Sequence, residues 1–202
     1  MIAVIDYGVG NLFSLSSSLN KIGADCVVTS DVEVVRKADK ILLPGVGAFG
    51  DAIKKLNESG LGQVICDEVS KGKPILGICL GMQMLFEKSY EYGEYKGLGL
   101  LKGEVVPMHG AIPGDLKIPH IGWNSLTVTK DHALFKYVQD GDFVYFVHSY
   151  YAKGVSDSLL AISDYGIPIT AAVALGNVMG TQFHPEKSGS VGLKILSAFA
   201  EL

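Results

Sequence analysis

The sequence predicts an α/β fold of three layers, α/β/α, with a mostly parallel central sheet and an additional antiparallel β portion in the second half. In the first half, short apolar runs alternate with segments of helical character, which is the rhythm of parallel strands joined by helices. The second half is rich in glycine and in short strand-like runs. A chain of 202 residues fits one domain with a sizeable core, and we expect residues 1–202 to form it.

The first half is expected to contain strands and helices in alternation, with a pair of helices before the last strand. Glycine, asparagine and proline mark the boundaries of these elements, and Asn11 is placed to cap the first helix. The predicted strands are 2–6, 25–29, 40–43 and the apolar run after Pro74, and the predicted helices are 11–22, 32–37, 49–57, 61–71 and 80–88.

The second half is expected to be mainly β-structure. Its predicted strands are 143–151, 159–163, 170–175 and 178–183, after a glycine-rich region at 97–129. The last two strands are joined through Gly176-Asn177, which is typical of a hairpin. A final helix over 191–202 places four apolar residues on one face: Ile195, Leu196, Phe199 and Leu202.

The chemistry of the chain centres on Gly77-Ile78-Cys79-Leu80-Gly81, where a buried strand is expected to turn into a helix. A cysteine flanked in this way matches the nucleophile elbow, whose sharp turn and close backbone passage favour glycine. The N-terminus of the following helix favours thiolate over thiol. Taken alone, a cysteine in such a place is more often a small buried apolar side chain.

A second motif, His184-Pro185-Glu186, distinguishes these interpretations. A histidine and a glutamate two residues apart suit a general base and the carboxylate that orients it, and Pro185 restricts the backbone between them. A lone histidine after a strand is more often structural. Elbow cysteine and His-Pro-Glu together favour a Cys79–His184–Glu186 triad.

Composition excludes several function classes. The net charge of −4 and the absence of a basic cluster argue against nucleic-acid and anionic-membrane partners. No apolar run is long enough to span a membrane, and the start does not resemble a signal peptide. Three widely spaced cysteines fit neither a disulfide framework nor a zinc site, so we expect a reducing, cytoplasmic compartment. We expect no metal and no cofactor: the Gly8-Val9-Gly10 segment lacks the third glycine of a dinucleotide loop.

Three further segments leave two interpretations open. Residues 44–49, Pro-Gly-Val-Gly-Ala-Phe, form either a tight strand-to-helix turn or a mobile segment with N–H groups for an oxyanion. Residues 120–124 and 147–151 concentrate histidine, aromatic and other polar side chains beside strands. From spacing alone, these two are interpreted as a hydrogen-bonded core network.

Segments 77–83 and 183–186 resemble those of the class I (triad) glutamine amidotransferases. Within that family, segments 6–11, 44–49, 120–124, 147–150 and 184–188 are similar to the glutaminase subunits of imidazole glycerol phosphate synthase, an enzyme of histidine biosynthesis. The resemblance extends from residue 2 to the final helix.

The resemblance implies a hydrolase in which Cys79 attacks the carboxamide of glutamine, His184 transfers protons and Glu186 orients His184. It implies oxyanion donors at the Leu80 and Val46 backbone, with a Gly45–Val46 peptide that can turn because glycine flanks Val46 on both sides. The implied glutamine contacts are Gly45, Gly47, Gln83, Glu91 and, through backbone, His148, Ser149 and Tyr150.

The implied partner is the cyclase subunit of the synthase, a (β/α)8 barrel, in a heterodimer with ammonia channelling and an overall lyase reaction. Asn11, Trp123 and Lys187 are expected to face this partner. One alternative is a glutaminase for pyridoxal phosphate, anthranilate or guanylate synthesis, but Pro-Gly-Val-Gly differs from the Gly-Gly-containing segment of those relatives. The other is a non-catalytic binding or chaperone-like member, which would not need His-Pro-Glu.

Overall fold

The computed structural model describes residues 1–202 as fourteen strands and six helices. The strands are β1 Ile2–Ile5, β2 Cys26–Thr29, β3 Lys40–Gly45, β4 Ile75–Cys79, β5 Lys88–Ser89, β6 Tyr95–Lys96, β7 Glu104–Pro107, β8 His120–Ser125, β9 Thr127–Val128, β10 Phe143–His148, β11 Tyr150–Lys153, β12 Leu159–Asp164, β13 Pro168–Leu175 and β14 Val178–Thr181. The helices are α1 Leu12–Lys21, α2 Val32–Lys37, α3 Phe49–Glu58, α4 Leu61–Ser70, α5 Leu80–Met84 and α6 Gly189–Glu201. Two short 3-10 turns lie at Ala133–Phe135 and Pro185–Lys187.

The main sheet has eight strands in the order β2-β1-β3-β4-β14-β13-β12-β9. Strands β2 to β14 in this order run parallel, and β13, β12 and β9 continue the sheet in antiparallel pairing. β4 lies at the centre, between β3 and β14. The predicted fold class, mostly parallel with an antiparallel portion from the second half, is therefore confirmed.

Helices cover both faces of the sheet, as predicted. Side chains of β1 alternate between two apolar clusters: Ala3 and Ile5 join one, Ile2 and Val4 the other. The first cluster contains buried residues of α2, α3 and α4, and the second contains those of α1 and α6. Because both faces of the central parallel strands are buried, almost every residue in these strands is apolar. None of the six helices has the length and apolar character needed to cross a membrane.

The helix predicted over 80–88 is wrong in length, because α5 ends at Met84. A longer helix would direct the carbonyl of Met84 to the N–H of residue 88. Instead, Leu98 N–H donates to Met84 O at 2.8 Å, and Leu100 N–H donates to Leu85 O at 2.8 Å. Because residues 98 and 100 donate hydrogen bonds to these carbonyls, the helix ends after little more than one turn.

The strand predicted over 143–151 is also wrong, because it is two strands that meet at Ser149. β10 pairs with β8 in a two-stranded ribbon, and β11 pairs with β7 in a second sheet of order β11-β7-β5-β6. The carbonyl of Ser149 accepts a hydrogen bond from Met108 N–H at 2.9 Å. The break leaves three consecutive polar residues, 148–150, between two sheets and beside the carboxyl end of β4.

The remaining predicted elements are present, with small shifts at their ends. Asn11 caps α1, because its side chain accepts a hydrogen bond from Ser14 N–H at 3.3 Å. The hairpin through Gly176-Asn177 joins β13 and β14. Ile195, Leu196 and Phe199 are buried on one face of α6, but Leu202 lies beyond the helix end and is exposed, contrary to the prediction.

Candidate active site

Cys79 occupies a sharp turn at the carboxyl end of the central strand β4. It is the last residue of β4 and directly precedes α5, with φ of 53° and ψ of −111°. Only one other non-glycine residue of the chain, Tyr92, has a positive φ. Such a conformation costs on the order of 1–3 kcal/mol and is maintained only when the surrounding structure enforces it. The strand–turn–helix geometry that the Gly-x-Cys-x-Gly motif predicts is present.

Close backbone packing enforces this turn and explains its glycines. A Cβ on Gly81 would lie 1.9 Å from the carbonyl oxygen of Leu43, and one on Gly77 would lie 2.7 Å from the backbone of Gly81. Both distances are far below van der Waals contact, and the atoms met are backbone atoms that cannot rotate away. The elbow is therefore locked between β3 and its own strand.

His184 and Glu186 form a buried pair beside the elbow. Nδ1 of His184 and Oε1 of Glu186 are 2.8 Å apart, and both side chains are at most 4% exposed. Nε2 of His184 is buried with no hydrogen-bond partner, so it is the ring nitrogen left for a reacting group. Burial alone lowers the pKa of His184, but its interactions with Cys79 and Glu186 outweigh burial and raise it to about 9. The imidazolium is thus favoured at neutral pH.

A cavity of about 290 Å³ opens in front of Cys79, at the small end of the size range of ligand pockets. It brings together most of the residues that the sequence predicts for catalysis, the oxyanion and glutamine: Val46, Gly47, Cys79, Leu80, Gln83, Glu91, His148, Ser149, Tyr150 and His184. Val147 and Lys187 also line it and were not predicted as pocket residues. Glu186 lies behind His184, along a narrow second cavity.

Gly45 was predicted as a glutamine contact, but it does not line this cavity. It is buried as the last residue of β3, in register with Cys79 of β4. A Cβ there would lie 2.7 Å from the backbone nitrogen of Gly81. Gly45 is therefore needed for close packing against the elbow. Just before it, the Tyr7 hydroxyl donates to the Pro44 carbonyl at 2.9 Å and anchors the segment.

Gln83 and Glu91 already use part of their hydrogen-bonding capacity inside the protein. Nε2 of Gln83 donates to Tyr150 O and to Gln182 Oε1, at 3.0 Å each, which leaves Oε1 of Gln83 for a ligand. Oε2 of Glu91 accepts from Phe49 N–H at 2.6 Å, where the 44–49 segment enters α3. Burial raises the pKa of Glu91, and this hydrogen bond opposes the rise. Through its hydrogen bond with Phe49, Glu91 connects the start of α3 to the cavity that it lines.

Segments 120–124 and 147–151 form the hydrogen-bonded network that their spacing indicates. Nδ1 of His148 lies 2.9 Å from Tyr150 O, which can only accept, so His148 donates there. Nε2 of His148 then accepts from Nδ1 of His120 at 3.1 Å, and Nε2 of His120 accepts from Nδ2 of Asn124 at 3.3 Å. Burial lowers the pKa of His148 to about 3 and that of His120 to about 4. Both imidazoles are neutral at pH 7.

This pair predicts acid sensitivity of the fold. Between pH 6.5 and about 4, the unfolded chain protonates both imidazoles and the folded chain does not, so the free energy of unfolding falls as pH falls. The loss reaches up to about 2 kcal/mol for each imidazole at pH 5. His184, with its raised pKa, acts oppositely: its contribution is complete below pH 6.5 and is lost as pH rises through about 9. Urea unfolding at pH 7, 6 and 5 measures the slope, and His120→Asn should reduce it by about half. Equal slopes in variant and parent would contradict a neutral buried pair.

Two of the three residues predicted to face a partner, Trp123 and Lys187, contact the same aromatic ring, that of Tyr145. Trp123 is 54% exposed on β8 and packs edge-on against Tyr145, with ring centroids 6.2 Å apart. Nζ of Lys187 lies 5.8 Å from the centroid of the same Tyr145 ring. Asn11 lines the narrow cavity behind His184 and Glu186.

The site contains no disulfide, since Cys26, Cys66 and Cys79 are all free. No group of three or more histidine, cysteine, aspartate or glutamate side chains is arranged to hold a metal ion. Sequence reasoning missed Gln182, which is fully buried and whose amide nitrogen lies 3.7 Å from Sγ of Cys79. Its place two residues before His184, in the same motif, was the available signal.

Comparison with known proteins gives concordant results. The family model "Glutamine amidotransferase class-I" matches residues 3–201. The chain is 51% identical to "Imidazole glycerol phosphate synthase subunit HisH" of Caldanaerobacter subterraneus subsp. tengcongensis, over 100% of this chain and 98% of that relative. It is 52% identical to the protein of the same name from Aquifex aeolicus, over 97% and 94% of the two chains.

Two solved structures share the fold. The structure described as "Crystal structure of glutamine amidotransferase" superposes with a TM-score of 0.77 at 18% identity, over 100% of both chains. "Structure of PurLQS from Thermotoga maritima" superposes with a TM-score of 0.72 at 22% identity, over 99% of this chain and 97% of that one. At these identities the likeness shows the fold alone.

Proposed function

Because this chain belongs to the class-I glutamine amidotransferase family, we propose that it is the glutaminase subunit of an imidazole glycerol phosphate synthase, in histidine biosynthesis. The observation that carries this proposal is identity of about half over the full length of relatives with that name. Residues 1–202 act as a single amidotransferase domain. The reaction is hydrolysis of L-glutamine to glutamate and ammonia, without a cofactor.

Cys79 is the nucleophile. Its thiolate attacks the carboxamide carbon of glutamine, and the C–S bond forms as the carbonyl electron pair moves to oxygen. The strained elbow supports this role, because it fixes the side chain of Cys79 at the floor of the cavity. Interaction with Cys79 helps to raise the pKa of His184, so a positively charged imidazolium lies beside the nucleophile at neutral pH.

His184 carries the protons and Glu186 fixes its orientation. Nε2 of His184 protonates the leaving nitrogen, which departs as ammonia when the C–N bond breaks. The same nitrogen then takes a proton from water, which hydrolyses the γ-glutamyl thioester and restores Cys79. The 2.8 Å contact of Nδ1 with Glu186 holds the tautomer in which Nε2 faces the substrate.

The tetrahedral oxyanion needs N–H donors, and we assign them to Leu80 and Val46. Leu80 begins α5 directly after the nucleophile, and Val46 follows the end of β3; both line the cavity. Removal of one such donor typically reduces kcat by about 10² to 10³. Val46 is 40% exposed, and the glycines on both sides of it permit backbone torsions that other residues do not adopt.

Glutamine is bound by the remaining lining residues. Oε1 of Gln83 accepts an N–H of the substrate, since both hydrogens of its own nitrogen are already donated. Gly47, Glu91 and the backbone of residues 148–150 complete the pocket. The carbonyls of Tyr150 and Ser149 are occupied within the chain, at 3.0 Å by Gln83 and 2.9 Å by Met108, and we assign the contacts of this segment with glutamine to its N–H groups.

The ammonia passes to a cyclase subunit, a (β/α)8 barrel, which makes imidazole glycerol phosphate and the aminoimidazole carboxamide ribonucleotide AICAR. The two subunits form a heterodimer in the cytoplasm, and the joint reaction is a lyase reaction. The relatives' shared name, a synthase subunit, supports a partner. Asn11, Trp123 and Lys187 face it, and the exposed aromatic surface of Trp123 supports this placement.

A chain that is active only in this complex should be a poor glutaminase alone. We expect kcat for glutamine hydrolysis to rise at least about 10²- to 10³-fold when the cyclase subunit and its bound ligand are added, the size of one oxyanion donor. The measurement is steady-state hydrolysis by the chain alone, with cyclase subunit, and with subunit plus ligand. Three kcat values within a factor of about three would refute activation and indicate a preformed site.

Two alanine variants test whether torsional freedom at Val46 underlies the activation. Gly47 has φ of 90° with nothing within 4 Å of an added Cβ, so Gly47→Ala restricts the backbone without a clash. Its matched control is Gly60→Ala, at φ of 76° and equally open, outside the cavity. We expect the stimulated kcat to fall at least tenfold in the first variant and less than twofold in the control.

A further inference from the structure

The carbonyl oxygen of Tyr150 fixes the direction of the hydrogen bonds along a chain of buried side-chain amides. A carbonyl only accepts, so the Gln83 atom 3.0 Å away is its amide nitrogen. The same nitrogen lies 3.0 Å from one amide atom of Gln182, which must then be the acceptor Oε1. With Oε1 so placed, Nε2 of Gln182 points to Sγ of Cys79, at 3.7 Å. No other assignment of the two amides satisfies the three contacts.

Gln182 is held firmly in this position. It is fully buried, and it follows β14 directly, with its backbone N–H donating to Ala171 O on β13 at 2.8 Å. Besides His184, whose pKa its interaction with Cys79 helps to raise, the carbonyl of Val147 lies 3.9 Å from Sγ; it accepts from a thiol but donates nothing to a thiolate. The amide of Gln182 instead donates, and a donor stabilises the charged thiolate more than the weakly accepting thiol.

We propose that Gln182 is a positioning residue for Cys79, whose side-chain amide donates a hydrogen bond to Sγ and favours the thiolate. This inference rests on the proposed function, in which Cys79 is the nucleophile. It adds a neutral donor to the charge of His184 and connects Sγ, through Gln182 and Gln83, to the wall of the glutamine pocket. The pocket and the nucleophile are thus parts of one hydrogen-bonded chain.

The test is the pH dependence of Cys79 alkylation by iodoacetamide in the full chain, with adducts at each cysteine resolved by peptide mass. Gln182→Met keeps the length of the side chain and removes the donor. We expect its Cys79 rate at pH 7 to be about tenfold lower, as the loss of a hydrogen bond to a charged group predicts, with a high-pH plateau within about twofold of the parent. Thr181→Val is the control, since Thr181 is equally buried and its hydroxyl bonds Phe183 O at 3.1 Å, away from Sγ.

Cys26 and Cys66 serve as internal references for folding, because opening of the structure would accelerate them too. If alkylation of Cys26 and Cys66 is faster in Gln182→Met than in the parent, Gln182→Glu is measured at pH 8 in place of that variant. The carboxylate of Gln182→Glu still accepts a hydrogen bond from Gln83 but repels the thiolate, so the alkylation rate of Cys79 should fall more than is expected for Gln182→Met. The proposed role of Gln182 is overturned if Cys79 is alkylated with the same pH dependence in the folded variant as in the parent. A parent in which Cys79 is no more reactive than Cys26 and Cys66 at pH 7 overturns instead the proposed nucleophile.

Discussion

Replacement of Cys79 by alanine should abolish glutamine hydrolysis while leaving the fold intact. The expected loss of kcat is at least about 10⁵-fold, because no other group forms the thioester and removal of a triad nucleophile typically has an effect of this size. The side chain of Cys79 is small, so the loss of packing is minor. Steady-state glutamate formation with the cyclase subunit present measures the effect. The matched control is Cys66→Ala, a half-buried cysteine of α4 whose thiol contacts Leu98 O at 3.9 Å.

The same variant separates the two halves of the proposed reaction. The complex of Cys79→Ala with the cyclase subunit should still make product from added ammonia at high pH, where ammonia is unprotonated. Residual hydrolysis above about 1% of the parent rate would show that Cys79 is not the nucleophile. Loss of the ammonia-dependent reaction would show that Cys79 supports the complex and not only the chemistry.

The second large effect is expected at Glu186. Glu186→Gln keeps the size of the side chain but removes the charge that stabilises the His184 imidazolium and selects its tautomer. We expect kcat to fall by up to about 10⁴, the effect of the corresponding aspartate-to-asparagine change in a serine triad. Because glutamate has a longer and more flexible side chain than the aspartate of a serine triad, we expect the loss of kcat to be smaller than this limit. In addition, the pKa of His184 should drop, because one of the two groups that raise it is gone.

The control for this change is Glu104→Gln, which removes a carboxylate that pairs with Lys88 at 3.7 Å outside the cavity. Such a partly exposed pair contributes little to stability, so activity and unfolding should stay near those of the parent. The His184 titration, followed by NMR, is the second readout. Activity of Glu186→Gln within twofold of the parent would rule out an orienting role.

Much of this site was predictable because its chemistry is encoded locally. The elbow needs glycine on both sides of Cys79, and the structure explains why: added Cβ atoms would clash with backbone. His184 and Glu186 are two residues apart, so their pairing depends on one short turn. The parallel order of the first strands followed from their alternation with helices.

What the sequence did not predict depends on partners distant in the chain. α5 is short because the backbone N–H groups of Leu98 and Leu100 donate to the carbonyls at its C-terminal end. The strand break at Ser149 exists because β10 and β11 pair with different sheets. Gln182 gains its role only when residues 83 and 150, from two other elements, orient its amide. No periodicity or spacing along the chain contains these contacts.

Labelling with a reactive analogue of glutamine shows whether Cys79 is a nucleophile activated in a glutamine pocket. The chain is incubated, with its cyclase subunit, with a diazoketone analogue of glutamine, and adducts are located by peptide mass with and without excess glutamine. We predict a single adduct, on Cys79, whose formation glutamine suppresses, while Cys26 and Cys66 stay free. An adduct on Cys26 or Cys66 with Cys79 unmodified, or labelling that glutamine does not slow, would show that Cys79 is not the nucleophile of a glutamine pocket.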